Sequence, residues 1–405
     1  MRPLLTALLL GATALPAHAQ LLYLDDAKVV VDGETVVRDV IVNGGELQRV
    51  GEALQPPTDA RRIPGAWVTP GLFAIDTTLG LVEIGAEADT NDASAETELS
   101  SVADRASDAF NPRSVHVPIT RRQGITHALV MPRPQGHSIF GGTGMVADTS
   151  GGFDSIVADG AAIHVALGEG GSGIAGGSRS AAMTQLRGAL RDAQSGTASR
   201  DAANSLTPQD AEALRAALTG EAWLAVRASR ASDLMALSRL KADYPRLRII
   251  VFGAQEAHLV VDAVRDSGMH VVVDPLRNLP DSFESAASSF DTYTTLHEAG
   301  VPVAIANSSS LGVTRAQALR QHAGNAVARG ADWHDAFAAI SDVPARWFGV
   351  QDTGLVVWDG DPLEVTSGAV HMILDGEPLS LESRQSRLAD RYNPAVDDDR
   401  PHGYR

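Results

Sequence analysis

The chain contains no cysteine among its 405 residues. This absence excludes disulfide bonds, thiolate metal ligands and a cysteine nucleophile. Lysine is almost absent as well, since only Lys28 and Lys241 occur. After the first twenty residues the sequence has no uninterrupted apolar stretch of the roughly 18 residues that a transmembrane helix needs. We therefore expect no membrane-spanning helix after the N-terminal segment.

Positive charge is also scarce. The sequence has 33 lysines and arginines against 50 aspartates and glutamates, which gives a formal net charge of -17. An acidic surface is repelled by nucleic acids and by anionic membranes, so we expect neither as a partner. The charge does not identify a ligand. It leaves open a small molecule, a homo-oligomer and pairing with an intact homologue.

Residues 1–19 have the three parts of a secretory signal peptide. Arg2 precedes an apolar run over residues 4–15, and Ala17-His18-Ala19 forms an A-x-A cleavage site. The apolar run is too short to cross a bilayer. The sequence therefore predicts cleavage after Ala19 and a mature protein that is periplasmic or secreted.

The rest of the chain changes pattern twice. Residues 20–65 consist of short β-branched runs separated by glycine-containing turns, and residues 350–385 return to this pattern before a tail at 386–405. Between them, in residues 66–349, compact apolar runs alternate with helical patterns, such as the helix that begins at Thr207-Pro208 and ends at Gly220. This alternation predicts a parallel sheet covered by helices, either closed or open. The two terminal segments are expected to pair into one small β-domain.

Several distinctive motifs follow one another along the chain. Val68-Thr69-Pro70-Gly71-Leu72 closes an apolar strand, and the other distinctive segments are residues 26–30 and 40–51 at the start, 108–112 and 124–126 in the middle, and 355–363 and 373–376 at the end. In this order the motifs resemble the amidohydrolase superfamily, and within it the imidazolonepropionase-like members, in which the first of them is the entry into the barrel. A deletion of about a dozen residues near Asp352 is the visible departure.

The resemblance implies an α/β fold with a (β/α)8 TIM-type barrel and a small β-sandwich domain built from the N- and C-terminal segments. It also implies a hydrolase that acts on carbon–nitrogen (non-peptide) bonds. Relatives of this kind hold zinc or another divalent metal at the carboxyl-terminal mouth of the barrel, where the metal converts a bound water into hydroxide.

The residues at the metal-ligand positions do not match the family. The histidine pair of the first strand falls on Asp76 and Thr78, and the bridging residue of the middle strand falls on His164. The later ligands fall on Arg227 with Ser229 two residues on, on Phe252 or Gly253, and on Ser308 or, one residue earlier, Asn307. A cation at Arg227 would repel a metal. We therefore predict no metal site of the family type, and we take Asp76, Thr78, His164, Arg227, Ser229, Asn307 and Ser308 as the candidate residues of the barrel mouth.

Two interpretations of these residues remain. In the first, Asp76 and Arg227 form an ion pair that fills the place of the metal, with His164 as a third member. In the second, Asp76 and His164 carry out acid–base catalysis. His137, in a predicted loop, is a weak candidate for substrate binding. Gly168–Gly173 matches G-x-G-x-x-G, but the residues that follow predict a longer loop and not the helix of a dinucleotide site.

Three functions are therefore compatible with the sequence. The first is a metal-free, non-catalytic relative (a pseudoenzyme) that binds a small molecule or a partner. The second is a working metal-dependent hydrolase, supported by the resemblance alone. The third is a metal-independent amide or lactam hydrolase. Because a fold does not determine a function, the missing ligands favour the first.

Overall fold

The computed structural model describes residues 21–31, 33–43, 46–95, 102–136, 138–196, 206–308 and 316–392. The predicted signal peptide and His137 lie outside these ranges, as does most of the C-terminal tail. None of the helices in the described part is both long and apolar enough to cross a membrane.

The first sheet combines strands from both ends of the chain. It contains β1 (Leu22–Val31), β2 (Glu34–Asn43), β3 (Glu46–Gly51), β4 (Arg61–Pro64), β5 (Trp67–Pro70), β14 (Leu355–Trp358), β15 (Ala369–Leu374) and β16 (Glu377–Pro378). The order is β16-β15-β14-β5-β1-β2-β3, and β4 pairs with β1. Antiparallel pairing of β5 with β14 joins the terminal segments, with Trp67 opposite Trp358.

The second sheet is the barrel. Its strands are β6 (Leu72–Thr77), β7 (Ile125–Val130), β8 (Phe140–Asp148), β9 (Ile156–Ala166), β10 (Trp223–Ala228), β11 (Arg248–Gly253), β12 (His270–Val273) and β13 (Val303–Ile305), in sequence order across the sheet. The two end strands approach each other across the dipeptide Ala339-Ile340, which accepts hydrogen bonds from Phe73 N of β6 (2.8 Å) and Ile305 N of β13 (3.0 Å). The barrel is therefore nearly closed, and the predicted fold class is confirmed.

Helices cover the outside of the barrel. They are α1 (Ala106–Ala109), α2 (His116–Arg121), α3 (Gly168–Ile174), α4 (Arg179–Ser195), α5 (Pro208–Thr219), α6 (Ala231–Asp243), α7 (Val261–Ser267), α8 (Thr292–Glu298), α9 (Leu319–Ala328), α10 (Trp333–Ala338) and α11 (Asp342–Trp347), followed by α12 (Arg384–Tyr392) near the C-terminus. The predicted helix at Thr207 is confirmed as α5. Thr207 and Asp210 form a capping box at its start, and Gly220 ends it in the left-handed conformation.

One strand of the barrel departs from the predicted parallel alternation. Strand β8 runs antiparallel to both β7 and β9. The described residues that connect it to its neighbours form no helix, and strands joined without a crossover helix pair antiparallel. The sequence analysis missed this strand because its glycine-rich start, Phe140-Gly141-Gly142, weakens the apolar run that marks the other strands.

The barrel and the first sheet share one packing interface. The ring of Trp358 on β14 is fully buried, and its Nε1 donates a hydrogen bond to Thr69 Oγ1 (2.9 Å). The ring lies against Gly124, just before β7, where an added Cβ would come within 2.1 Å of it. Gly124 also has a φ of +82°, so both its conformation and the close approach of the tryptophan require glycine.

Candidate functional site

The interior of the barrel leads directly to the candidate site. Apolar side chains on alternate strand positions fill the interior, including Ala162 on β9, Ala225 on β10 and Val272 on β12. Side chains along a strand alternate between its two faces, so the next side chain that points into the barrel comes two residues later. On these three strands that position lies at the carboxyl-terminal end. Those positions are His164, Arg227 and Asp274. The polar residues thus meet at the end of the barrel where parallel-barrel enzymes place their active sites.

An ion pair occupies this mouth. Arg227 Nη2 lies 2.5 Å from Asp76 Oδ1, and Arg133 Nη2 approaches the same oxygen at 3.4 Å. The side chain of Asp76 is 2% exposed, whereas those of Arg227 and Arg133 are 26% and 23% exposed. The predicted contact between Asp76 and Arg227 is therefore present. Arg133, which follows β7, is a second cation that the sequence analysis did not identify.

His164 is the third member of this cluster. It is fully buried, and its Nδ1 lies 2.5 Å from the carbonyl oxygen of Pro132. Since a carbonyl can only accept, Nδ1 carries the hydrogen, and Nε2 is free to accept the bond from Arg227 Nε at 3.1 Å. Burial, and then the positive charge of Arg227, lower the pKa of His164 to about 3. His164 is thus a neutral imidazole, and both of its ring nitrogens form hydrogen bonds. The bond at Nε2 positions the guanidinium of Arg227.

This geometry does not suit the acid–base interpretation. A general base near neutral pH needs a pKa close to that pH and a nitrogen within reach of the substrate. His164 has neither, because its pKa is far below neutral and its ring is fully buried. The structure therefore favours the ion-pair interpretation over catalysis by Asp76 and His164.

The other candidates surround the ion pair in different ways. The ring of Phe252, at the end of β11, lies under the guanidinium of Arg227, with 5.6 Å between the guanidinium carbon and the ring centroid. The hydroxyl of Thr78 is buried without a hydrogen-bond partner among the described residues. Ser229 lies beside Gly253, where an added Cβ would come within 2.9 Å of the serine Oγ. Asn307 follows β13, one residue before Ser308.

A second buried cluster at the mouth was missed. Asp274 follows β12, and its carboxylate accepts hydrogen bonds from His322 Nδ1 (2.7 Å), from the backbone N and Oγ of Ser308 (both 2.9 Å), and from Leu276 N (3.0 Å). Burial alone would raise the pKa of Asp274, but the bonds from His322, Ser308 and Leu276 lower it overall. The signal was available: Asp274 is an acidic residue that directly ends the apolar run Val271-Val272-Val273.

The glycine-rich segment after β9 corrects one expectation. Residues Gly168–Ile174 form α3, not the predicted loop. The helix starts because Glu284 accepts a hydrogen bond from the first-turn backbone N of Glu169 (2.6 Å) and lies against Gly168. The carboxylate of Glu284 thus occupies the place that a phosphate takes in a dinucleotide site. His137 lies outside the described residues.

The residues at the mouth do not fit the divalent metal that the resemblance implies. Within the described ranges no group of three or more histidine, aspartate or glutamate side chains is arranged to hold a metal ion. Asp76, the one carboxylate at the first-strand position, is already paired with the guanidinium of Arg227. A metal cation beside these two arginines would be repelled.

Solved structures share this fold. An amidohydrolase from Thermotoga maritima MSB8 is 22% identical, with a TM-score of 0.74 over 89% of this chain and 99% of that chain. A prolidase complexed with N-methylphosphonate-L-proline is 14% identical, with a TM-score of 0.51 over 89% of this chain and 100% of that chain. No family model matches this sequence, and no curated protein does. The chain therefore has the amidohydrolase fold, as the sequence motifs predicted.

Proposed function

We propose that this protein is a metal-free member of the amidohydrolase fold that binds a small, negatively charged molecule at the barrel mouth and does not hydrolyse carbon–nitrogen bonds through a metal. One observation carries the proposal. The guanidinium of Arg227 donates hydrogen bonds to both Asp76 and His164, which occupy positions where the resemblance places metal ligands.

The charge of the mouth supports an anionic ligand. Two guanidiniums, of Arg133 and Arg227, contact the carboxylate of Asp76 at the mouth. About a quarter of each arginine side chain is exposed, whereas Asp76 is not. A carboxylate on a ligand would contact the exposed parts of these two arginines, since guanidinium–carboxylate contacts are among the stronger hydrogen bonds in proteins.

The alternative is a working amide or lactam hydrolase. A metal-dependent form is supported by the resemblance and opposed by the residues present at the mouth. A metal-independent form would rest on Asp274 and His322, because an ionised carboxylate on Nδ1 leaves Nε2 of the histidine as a base. Hydrolysis of an amide or lactam that survives chelator and is lost in His322→Gln would establish this alternative.

Metal content is the first test of the proposal. Purified protein, dialysed without chelator, should contain well under one equivalent of zinc, iron or manganese, and chelator should leave its Tm unchanged. A metal bound only to the folded state would add RT ln(1 + [L]/Kd), about 4 kcal/mol at a thousand times Kd, so its removal would lower the Tm clearly. Stoichiometric metal after dialysis would contradict the proposal.

The same thermal measurement tests the ligand class. A panel of small mono- and dicarboxylates should include compounds that raise the Tm, and Arg133→Gln should reduce this rise. Arg105→Gln is the matched control, because Arg105 also pairs with a carboxylate, that of Asp159, but does so outside the mouth. An equal rise in both variants would show that the carboxylates do not bind through Arg133.

We also propose that the protein is exported to the periplasm or secreted. The support is the sequence of residues 1–19, with its apolar run and its A-x-A site before Gln20. Material recovered from outside the cytoplasm should begin at Gln20 when its N-terminus is sequenced. An exported protein that retains residues 1–19 would contradict this.

A further inference from the structure

A buried arginine that forms no ion pair with a described residue lies at the opposite end of the barrel. Arg121, the last residue of α2, is 8% exposed, and burial lowers its pKa although the charge of Asp148 acts in the other direction. Its guanidinium donates to three backbone carbonyls, those of Thr149 (2.7 Å), Ser380 (2.8 Å) and Ser150 (2.9 Å). No carboxylate of a described residue lies within ion-pair distance of it. A buried charge of this kind is costly unless an opposite charge compensates it.

The location is distinct from the mouth. Thr149 follows the antiparallel strand β8, and its backbone N and Oγ1 both donate hydrogen bonds (2.8 Å each) to the first residues of β7, Thr126 and Ile125. These contacts place Arg121 at the amino-terminal end of the parallel strands. Asp76 and Arg227 lie at their carboxyl-terminal end, so the depth of the barrel separates the two sites.

An arginine-lined cleft opens beside Arg121. It has a volume of about 350 Å³, and Arg113, Arg384 and Arg387 line it together with Arg121. Arg113 and Arg384 form no ion pair with a described residue, and Arg387 has only the exposed Glu382 at 3.4 Å. No acidic residue is among those that line the cleft. In a protein with a net charge of -17, four arginines around one cleft without acidic lining are a local reversal of charge.

The guanidinium of Arg121 is accessible from this cleft. A guanidinium has five N–H groups, and the three carbonyls use three of them. Gly151 also lines the cleft, and a Cβ there would lie 3.3 Å from Arg121 Nη2. The φ of Gly151 is +78°, which other residues rarely adopt, so the backbone keeps this approach open.

We propose that this cleft binds a small anion that carries two or more negative charges, with phosphate or clustered carboxylate groups as the recognised chemistry. Arg121 supplies the buried charge at the base, and Arg113 and Arg384 supply exposed charges at the rim. Arginine suits this role because its planar N–H groups match the oxygen pairs of phosphate and carboxylate groups.

Calorimetric titration at low ionic strength tests the proposal, with pyrophosphate and citrate as the two probes. Binding of either probe to the wild type is expected. Arg113→Gln with Arg384→Gln should weaken it by about tenfold or more, since two charge-assisted contacts are lost. Both residues are exposed, so the double variant should fold. Arg49→Gln with Arg61→Gln removes the same charge from exposed positions on the first sheet and should change the affinity little.

A second control separates the cleft from the mouth. Pyrophosphate lacks the carboxylate groups proposed for the mouth, so Arg133→Gln should leave binding of pyrophosphate unchanged if the cleft is its site. The proposal is overturned if neither probe binds the wild type. It is equally overturned if the cleft variant and the Arg49/Arg61 variant lose the same affinity, or if Arg133→Gln abolishes binding of pyrophosphate.

Discussion

Replacement of Asp76 by alanine should lower the free energy of unfolding by about 3–5 kcal/mol, because it leaves the guanidiniums of Arg227 and Arg133 facing each other without their shared carboxylate. The carboxylate is almost fully buried, so water cannot take its place without rearrangement. Chemical denaturation of the wild type and the variant at pH 7 measures the difference.

Two further variants help to interpret the stability of Asp76→Ala. Asp159→Ala removes one partner of an exposed ion pair with Arg105 and should cost only about 0–1 kcal/mol. Asp76→Ala combined with Arg227→Met should recover part of the loss, because the unpaired cation is removed with its partner. Recovery should be incomplete, since His164 Nε2 then loses its donor and Arg133 loses its carboxylate. Unchanged stability of Asp76→Ala would mean that the pair contributes nothing.

Acid should destabilise the wild type more than a variant without His164. The folded-state pKa of His164 is about 3, because of burial and of Arg227, against 6.5 in the unfolded chain. Between these values the unfolded state binds a proton that the folded state does not, so stability falls as the pH falls from about 6.5 towards 3 and is fully present above that window. From pH 7 to 4.5 this one group should cost the wild type about 3 kcal/mol.

The variant His164→Gln isolates this effect. Burial also lowers the pKa values of His127, which is buried, and of His371, which is partly buried. Acid destabilises the wild type and the variant equally through these two residues. The quantity to measure is therefore the difference between wild type and variant at each pH, from denaturant titrations. We expect the free energy of unfolding of the wild type minus that of the variant to be about 3 kcal/mol smaller at pH 4.5 than at pH 7. Parallel pH profiles would show that His164 does not titrate in this window.

Much of the fold follows from local patterns. Runs of apolar residues at strand length, separated by helical periods, identify β9 to β13 as buried strands, and Thr207 with Gly220 identifies both ends of α5. Each of these signals lies within a few neighbouring residues. The order of the family motifs then places Asp76, His164 and Arg227 at strand ends, and therefore at one end of a barrel.

The arrangement of the site depended on the tertiary structure. Arg133 reaches Asp76 across 57 positions in the sequence, and His322 reaches Asp274 across 48. The periodicity of neighbouring residues cannot predict such contacts. They depend on the order of the strands, on the irregular register between β6 and β7, and on helix α9, which carries His322 to the mouth. The antiparallel direction of β8 also depends on the tertiary structure, since it follows from the helix-free connections and not from the residues of the strand itself.

The sequence by itself determined which residues stand at the positions where the resemblance places metal ligands, because residue identity is a local fact. It could not determine how those residues contact one another. That answer required Asp76 on β6 and Arg227 on β10, 151 residues apart, to be brought within 2.5 Å across the mouth of a nearly closed barrel in which the two strands are not adjacent. It also required His164 to be buried deeply enough to stay neutral beside a cation. Burial and distance belong to the packed chain, so only the tertiary structure decided that an ion pair occupies the mouth.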